Sequence, residues 1–363
     1  MTATTNRILN FSAGPATLPE PVLLQAQKDI WDIAHSGIGI CEHSHRGPVF
    51  GKVIEETISN CRLIGSIPDD FEILFLQGGA TLQFAMLAMN FLGEGETANY
   101  LDTGVWATKA IKEANKIGNV HLAFDGSKSN YDHCPTEEQI NAVDNAAYLH
   151  YCSNNTIYGT RFSKPISSNT SIICDMSSDI FSRSIDWNSF DMVYAGAQKN
   201  LGPAGVVLVV IRKSLLENCV DTLPIMLNYS AISKKGSMLN TPPTFGIYLM
   251  GEVFKWLLSE GGLHSIEERN EHKAWMIYSV LDSWPDFYTT FAQVDSRSRM
   301  NISFKTKSPE LDAMFLEEAT KSGMSGLKGH RNLGGLRASI YNAFPEEGCA
   351  RFAEFLESFA STH

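Results

Sequence analysis

The chain has 363 residues, 44% hydrophobic and 19% charged, which allows about two domains at roughly 150 residues each and excludes a disordered or collagen-like chain. Its formal net charge of −11 argues against nucleic acid as a partner, because a phosphate-backbone binder needs a basic face to displace counterions. Seven cysteines without a CxxC pair set aside zinc ribbons and redox dithiols and suit a reducing compartment. No apolar run approaches the roughly 20 residues that cross a bilayer, and the first residues carry no apolar leader. The expectation is a cytoplasmic protein with no membrane partner.

From residue 71 to 211 the sequence alternates short β-rich apolar runs with turns and helical stretches. Strands are predicted at Phe71–Leu76, Ala98–Asp102, Val120–Phe124, Ala146–Tyr151, Ser171–Asp175, Met192–Ala195 and Val206–Ile211, with helices at Thr81–Phe91 and Val105–Ile117. Continuously apolar strands between helices indicate an α/β domain whose mostly parallel seven-stranded sheet is covered on both faces. Beyond Phe245 the periodicity turns helical, at Gly246–Ser259 and Leu263–Ser283, with Gly261-Gly262 ending one helix and redirecting the next. A smaller C-terminal α/β domain follows: strand Met300–Lys305, helix Glu310–Ser322, strand Leu336–Tyr341 and helix Glu346–Ser361. The expected division is a large domain over 16–260 and a small one over 261–363, joined by the N-terminal segment 1–15.

Three motifs carry chemistry. Gln77-Gly78-Gly79-Ala80-Thr81 lies between a strand and a helix start, where free N–H groups and the helix dipole favour an anion. It lacks GxGxxG and GK[ST] spacing, so a single phosphate monoester suits it better than a dinucleotide. Ser171-Ile172-Ile173-Cys174-Asp175 is an apolar strand ending in a carboxylate, at the edge where parallel sheets bind ligands. A buried aspartate there needs a cation, such as a protonated pyridine nitrogen. In Tyr194-Ala195-Gly196-Ala197-Gln198-Lys199-Asn200 the lysine follows a buried strand among small residues, and a partly desolvated amine can form a Schiff base with a carbonyl. Together they describe a pyridoxal 5'-phosphate site. His43-x-His45 matches the first pair of ligands in some metal-dependent hydrolases, but the rest of that constellation is missing, His121, His133 and His150 have no HxxxH or HExxH partner, and no metal is expected.

Residues 319–345 contain no Asp or Glu, yet hold Lys321, Lys328, His330, Arg331 and Arg337. With His45 and Arg46 they suit a substrate with two anionic ends, a carboxylate for a guanidinium fork and a phosphate for an Arg/His cluster.

Further segments bring a resemblance into view: Asn10-Phe11-Ser12-Ala13-Gly14-Pro15, Ser44-His45-Arg46-Gly47, Asn240-Thr241-Pro242-Pro243-Thr244-Phe245 and Leu327-Lys328-Gly329-His330-Arg331. Nearly end to end the chain resembles the phosphoserine aminotransferases, class V members of the aspartate aminotransferase superfamily (fold type I). The resemblance implies that Lys199 carries the cofactor and shuttles protons, that Asp175 pairs with the ring nitrogen and that Trp106 stacks on the ring. Thr156 would hydrogen-bond the phenolic oxygen, and Ala80, Thr81 and Gln198 would hold the phosphate. Asn240 and Thr241 would reach it from the neighbouring subunit, making a homodimer with shared sites. Arg337 would take the α-carboxylate, and His45, Arg46, His330 and Arg331 the distal anion. The implied reaction converts 3-phosphohydroxypyruvate and L-glutamate to O-phospho-L-serine and 2-oxoglutarate in serine biosynthesis. Bacterial relatives also act on a phosphorylated four-carbon analogue in pyridoxine biosynthesis, which the resemblance implies as a second substrate. Small-substrate aminotransferases of class V have no need of the second anion cluster, and a desulfurase would need a mobile loop cysteine.

Overall fold

The computed structural model describes residues 7–363; residues 1–6, the start of the predicted N-terminal segment, lie outside the described residues. The chain opens with β1 (Leu9–Asn10), α1 (Glu20–Trp31) and α2 (Pro48–Gly65). The sheet domain then follows with β2 (Phe71–Gly78), α3 (Ala80–Phe91), β3 (Thr97–Asp102), α4 (Val105–Ala114), β4 (Asn119–Asp125), β5 (Leu149–Cys152), β6 (Ile172–Asp175), β7 (Met192–Gly196) and β8 (Gly205–Arg212). These seven strands form one sheet in the order β2-β8-β7-β6-β5-β3-β4. Only β8 runs against its neighbours, pairing antiparallel with both β2 and β7.

The residues of β8 explain why it is central. Val206, Leu208 and Val210 face one core, shared with Phe50 and Ile54 of α2, while Val207, Val209 and Ile211 face another, shared with Phe84 and Leu87 of α3. A strand apolar at every position can only sit where both faces are covered. Because six strands run the same way, their carboxyl ends gather at one edge, and with them Gly78, Asp102, Cys152, Asp175 and Gly196.

α5 (Thr244–Ser259) and the long α6 (Gly262–Ser283) lead out of this domain. Leu263 and Ile266 of α6 pack with the sheet core, whereas Ala274, Ile277 and Leu281 belong to a third apolar cluster around the C-terminal elements. Those elements are β9 (Tyr288–Thr290), β10 (Asn301–Thr306), α7 (Pro309–Lys321), β11 (Met324–Ser325), β12 (Leu336–Ser339) and α8 (Glu346–Thr362). β9, β10 and β12 form an antiparallel sheet, and β1 pairs in parallel with β11, so the N-terminal segment packs with the C-terminal elements. That segment also reaches the large sheet, where Ala16 N donates to Gln198 O at 2.9 Å.

Lys273 of α6 is fully buried and donates to the carbonyls of Ile340, Tyr341 and Phe344 at 3.1, 2.8 and 3.2 Å. It ties down the turn after β12. Among the described residues no helix is long and apolar enough to cross a membrane.

Candidate active site

The strand ends open onto a cavity of about 320 Å³ lined by Ala80, Thr81, Trp106, Thr156, Asp175, Gln198, Lys199, His330 and Arg337, together with Gly14, Cys152, Asn154, Ser177 and others. Nine residues singled out in the sequence therefore meet in one place. A larger groove, about 810 Å³, lies between α1, α2 and α5, but its lysines face carboxylates, as Lys255 does Glu56 and Glu252 at 3.2 and 2.8 Å.

Asp175 ends β6 in the interior, where its Oδ1 accepts from Ser177 N at 2.9 Å and Ser177 Oγ at 2.6 Å. Burial pushes its carboxyl above the ordinary range, while Lys199 and the Ser177 hydrogen bonds pull the other way. Burial moves the Lys199 ammonium in the opposite sense, downward, against the pull of Asp175. The amine is thus easier to deprotonate than a surface lysine, as a nucleophile or proton carrier requires.

Small residues make room for that lysine. A Cβ on Gly14 would sit 3.4 Å from Lys199 Cγ, and one on Gly196 would sit 2.8 Å from Gln198 Oε1. Lys199 Nζ lies 5.5 Å from the centre of the Trp106 ring, and Trp106 Nε1 donates to Thr156 Oγ1 at 3.1 Å. Thr156 also offers its carbonyl to Arg337 Nη1 at 3.0 Å. Arg337 Nε is buried with no partner, an orphaned donor beside the cavity.

At the other side α3 begins. Gly79 has no capping side chain, so the first N–H groups of the helix, at Ala80 and Thr81, are left for an anion. His330 is depressed by burial and by the charges of Arg337, Arg331 and Lys109.

Other expected residues stand apart from this cavity within one chain. His45 and Arg46 lie in the loop before α2, with Arg46 Nε 3.3 Å from His45 Nε2, and neither lines the cavity. Arg331 is exposed next to His330. Asn240 and Thr241 are both exposed, Asn240 Nδ2 donating to Gln77 Oε1 at 3.3 Å near the α3 turn. Sequence reasoning passed over Ser177, which holds Asp175 just after β6, and Asn155, whose Nδ2 donates to Thr103 O ahead of α4; an Asp-x-Ser step after a strand was the one available signal for the first.

A flat indole, a buried carboxylate wanting a cation, a desolvated lysine and a free helix N-terminus fit pyridoxal phosphate. The family profile described as aminotransferase class V matches residues 8–352. The chain is 51% identical over 358 residues to the phosphoserine aminotransferase of Desulfotalea psychrophila, covering 99% of both chains. The phosphoserine aminotransferase structure from Bacillus circulans subsp. alkalophilus superposes with a TM-score of 0.96 at 48% identity, covering 99% of each chain. The PLP-bound enzyme of Trichomonas vaginalis gives 0.92 at 36% identity, with 97% of this chain and 100% of that one covered. The chain belongs to the class-V aminotransferases and, within them, to the phosphoserine aminotransferase family.

Proposed function

We propose that this chain is a pyridoxal-phosphate-dependent aminotransferase that interconverts 3-phosphohydroxypyruvate plus L-glutamate with O-phospho-L-serine plus 2-oxoglutarate, the transamination of serine biosynthesis. The observation that carries the reading is buried Asp175 and half-buried Lys199, opposite charges in one cavity with Arg337 and His330. When bound, the cofactor supplies an electron sink for the carbanion at the substrate α-carbon.

Everything else falls to side chains. Asp175, its carboxylate oriented by Ser177, would hold the proton on the cofactor's ring nitrogen. Lys199 tethers the cofactor and moves the proton at the substrate α-carbon. Trp106, steadied by Thr156, would stack on the ring, and the Thr156 hydroxyl would hydrogen-bond its phenolic oxygen. Ala80, Thr81 and Gln198 bind the phosphate, supplemented by Asn240 and Thr241 of a second copy in a homodimer. Arg337 takes the α-carboxylate as a guanidinium fork, and His330, Arg331, His45 and Arg46 take the distal anion. Because glutamate and phosphoserine share an α-carboxylate and a distal anion, one pocket serves both half-reactions. The chemistry suits the cytoplasm, and a phosphorylated four-carbon keto acid is a second candidate substrate of the same pocket.

The test is glutamate-dependent amination of 3-phosphohydroxypyruvate by the purified protein, with hydroxypyruvate as comparison. Phosphoserine formation with strong preference for the phosphorylated keto acid is expected. Equal use of both, or no product, would overturn the substrate assignment.

A further inference from the structure

Lys109 lies one turn beyond Trp106 on α4, and its side chain is exposed. Its Nζ stands 4.5 Å from the centre of the Trp106 ring, the same ring that Lys199 Nζ approaches at 5.5 Å. Two ammonium groups therefore converge on one indole that lines the cavity.

The balance of charge around them is uneven. Among the described residues Lys109 has no carboxylate within ion-pair distance, although the chain carries a net −11 and Lys116, just past the same helix, is paired with Glu113 at 2.7 Å. The cavity wall itself holds three cationic or potentially cationic side chains, Lys199, His330 and Arg337, against one carboxylate, Asp175. Lys109 is close enough to His330 to weigh on its protonation together with Arg337 and Arg331. A site with this excess of positive charge lowers its own energy when an anion enters, and a flexible ammonium resting on Trp106, a residue of the cavity wall, can follow a phosphate without the fixed fork of an arginine.

We propose that Lys109 is a further specificity-determining residue, whose ammonium meets the distal anionic group of the substrate alongside His330 and Arg331. The proposal rests on the transamination reading above and adds to it a residue that no motif marks. The contact with Trp106 fits this role: the indole supports the aliphatic stem of Lys109 and the cation–π attraction holds its charge near the cavity until an oxyanion competes for it.

The experiment compares wild type, Lys109→Met and Lys109→Arg in kcat/KM for 3-phosphohydroxypyruvate and for hydroxypyruvate, with glutamate as donor. Methionine keeps an apolar stem over Trp106 and removes only the charge. Lys109→Met should lose about fivefold to tenfold with the phosphorylated substrate, the size of a partly exposed charge-assisted contact. It should lose less than about twofold with hydroxypyruvate, and Lys109→Arg should stay near wild type. Raising ionic strength should narrow the gap between wild type and Lys109→Met, since an exposed ammonium is screened.

Equal proportional losses on both substrates would mean that Lys109 acts only through Trp106, and an unchanged preference in Lys109→Met would mean that it touches no anion; either result overturns the proposal. If wild type itself fails to prefer the phosphorylated substrate, the substrate assignment under Proposed function falls, and that is visible before any variant is compared.

Discussion

Asp175 and Lys199 oppose each other inside the protein, each shifted by burial toward its neutral form and each held back by the other's charge. Ser177 tips the balance: with its N–H and its hydroxyl both donating to Oδ1, the carboxylate is stabilised, and the hydroxyl in turn accepts from Gly196 N at 3.0 Å. On the proposed function, Asp175→Asn removes the charge that would keep the cofactor nitrogen protonated, so kcat should fall about a hundredfold or more, the scale of losing a positioned proton-transfer group. Ser177→Ala removes one of two hydrogen bonds and should cost about tenfold, as expected for a single charge-assisted contact. Steady-state rates at saturating cofactor measure both. Near-wild-type turnover in Asp175→Asn would place another group at the ring nitrogen. The sequence made Asp175 and Lys199 legible because each stands where an apolar strand ends, and that is a local pattern. Ser177 was less visible because its role depends on how the chain turns after β6, and turn geometry is only weakly written in side-chain type.

At the scale of elements, the site depends on one turn being able to approach another. Gly104 leads into α4 with φ +149°, a conformation L side chains rarely adopt, and a Cβ there would lie 1.8 Å from Asn155 Nδ2. That close approach lets Asn155 Nδ2 donate to Thr103 O, which fastens the start of α4 to the loop carrying Thr156. Trp106 and Thr156 then fall within hydrogen-bond reach. Gly104→Ala must push the two segments apart. We expect it to destabilise the protein by about 2 kcal/mol or more, the combined scale of backbone strain and a lost buried hydrogen bond. Cofactor affinity should drop as well, because both residues line the cavity proposed to hold the ring. Urea unfolding and titration of the apoprotein followed by cofactor absorbance check the two effects, and an unaltered affinity would show that the turn does not position Trp106. The seven strands and their helices were readable because apolar runs and helical periodicity persist over many residues. The antiparallel direction of β8 was not readable, since a strand buried on both faces has the same composition whichever way it runs.

For the whole molecule, the division of labour between chains is the remaining step. One chain by itself brings Lys199, Asp175, Arg337 and His330 together, while Asn240, Thr241 and Arg46 stay exposed and outside the cavity. Asn240 does lie beside Gln77, two residues before the Gly79 that opens α3, so the edge of the phosphate cup and the Asn240–Thr241 segment are neighbours at the surface. In a two-fold dimer built about that surface the segment of each chain would face the cup of the other. On the shared-site proposal, Lys199→Ala chains lack the tether, and chains carrying Asn240→Ala with Thr241→Ala lack the donors that would be offered across the interface, so each homodimer should be severely impaired in both of its sites. A mixed dimer differs. One of its sites combines an intact Lys199 from one chain with intact Asn240 and Thr241 from the other, and its second site gathers all the defects. Equal mixing with free exchange makes half the dimers mixed, each with one good site of two, so activity should recover to about a quarter of wild type. Native mass spectrometry of differently tagged chains establishes that mixed dimers form. If they form and activity stays at the level of the separate variants, each chain completes its own site and the shared-site reading is wrong.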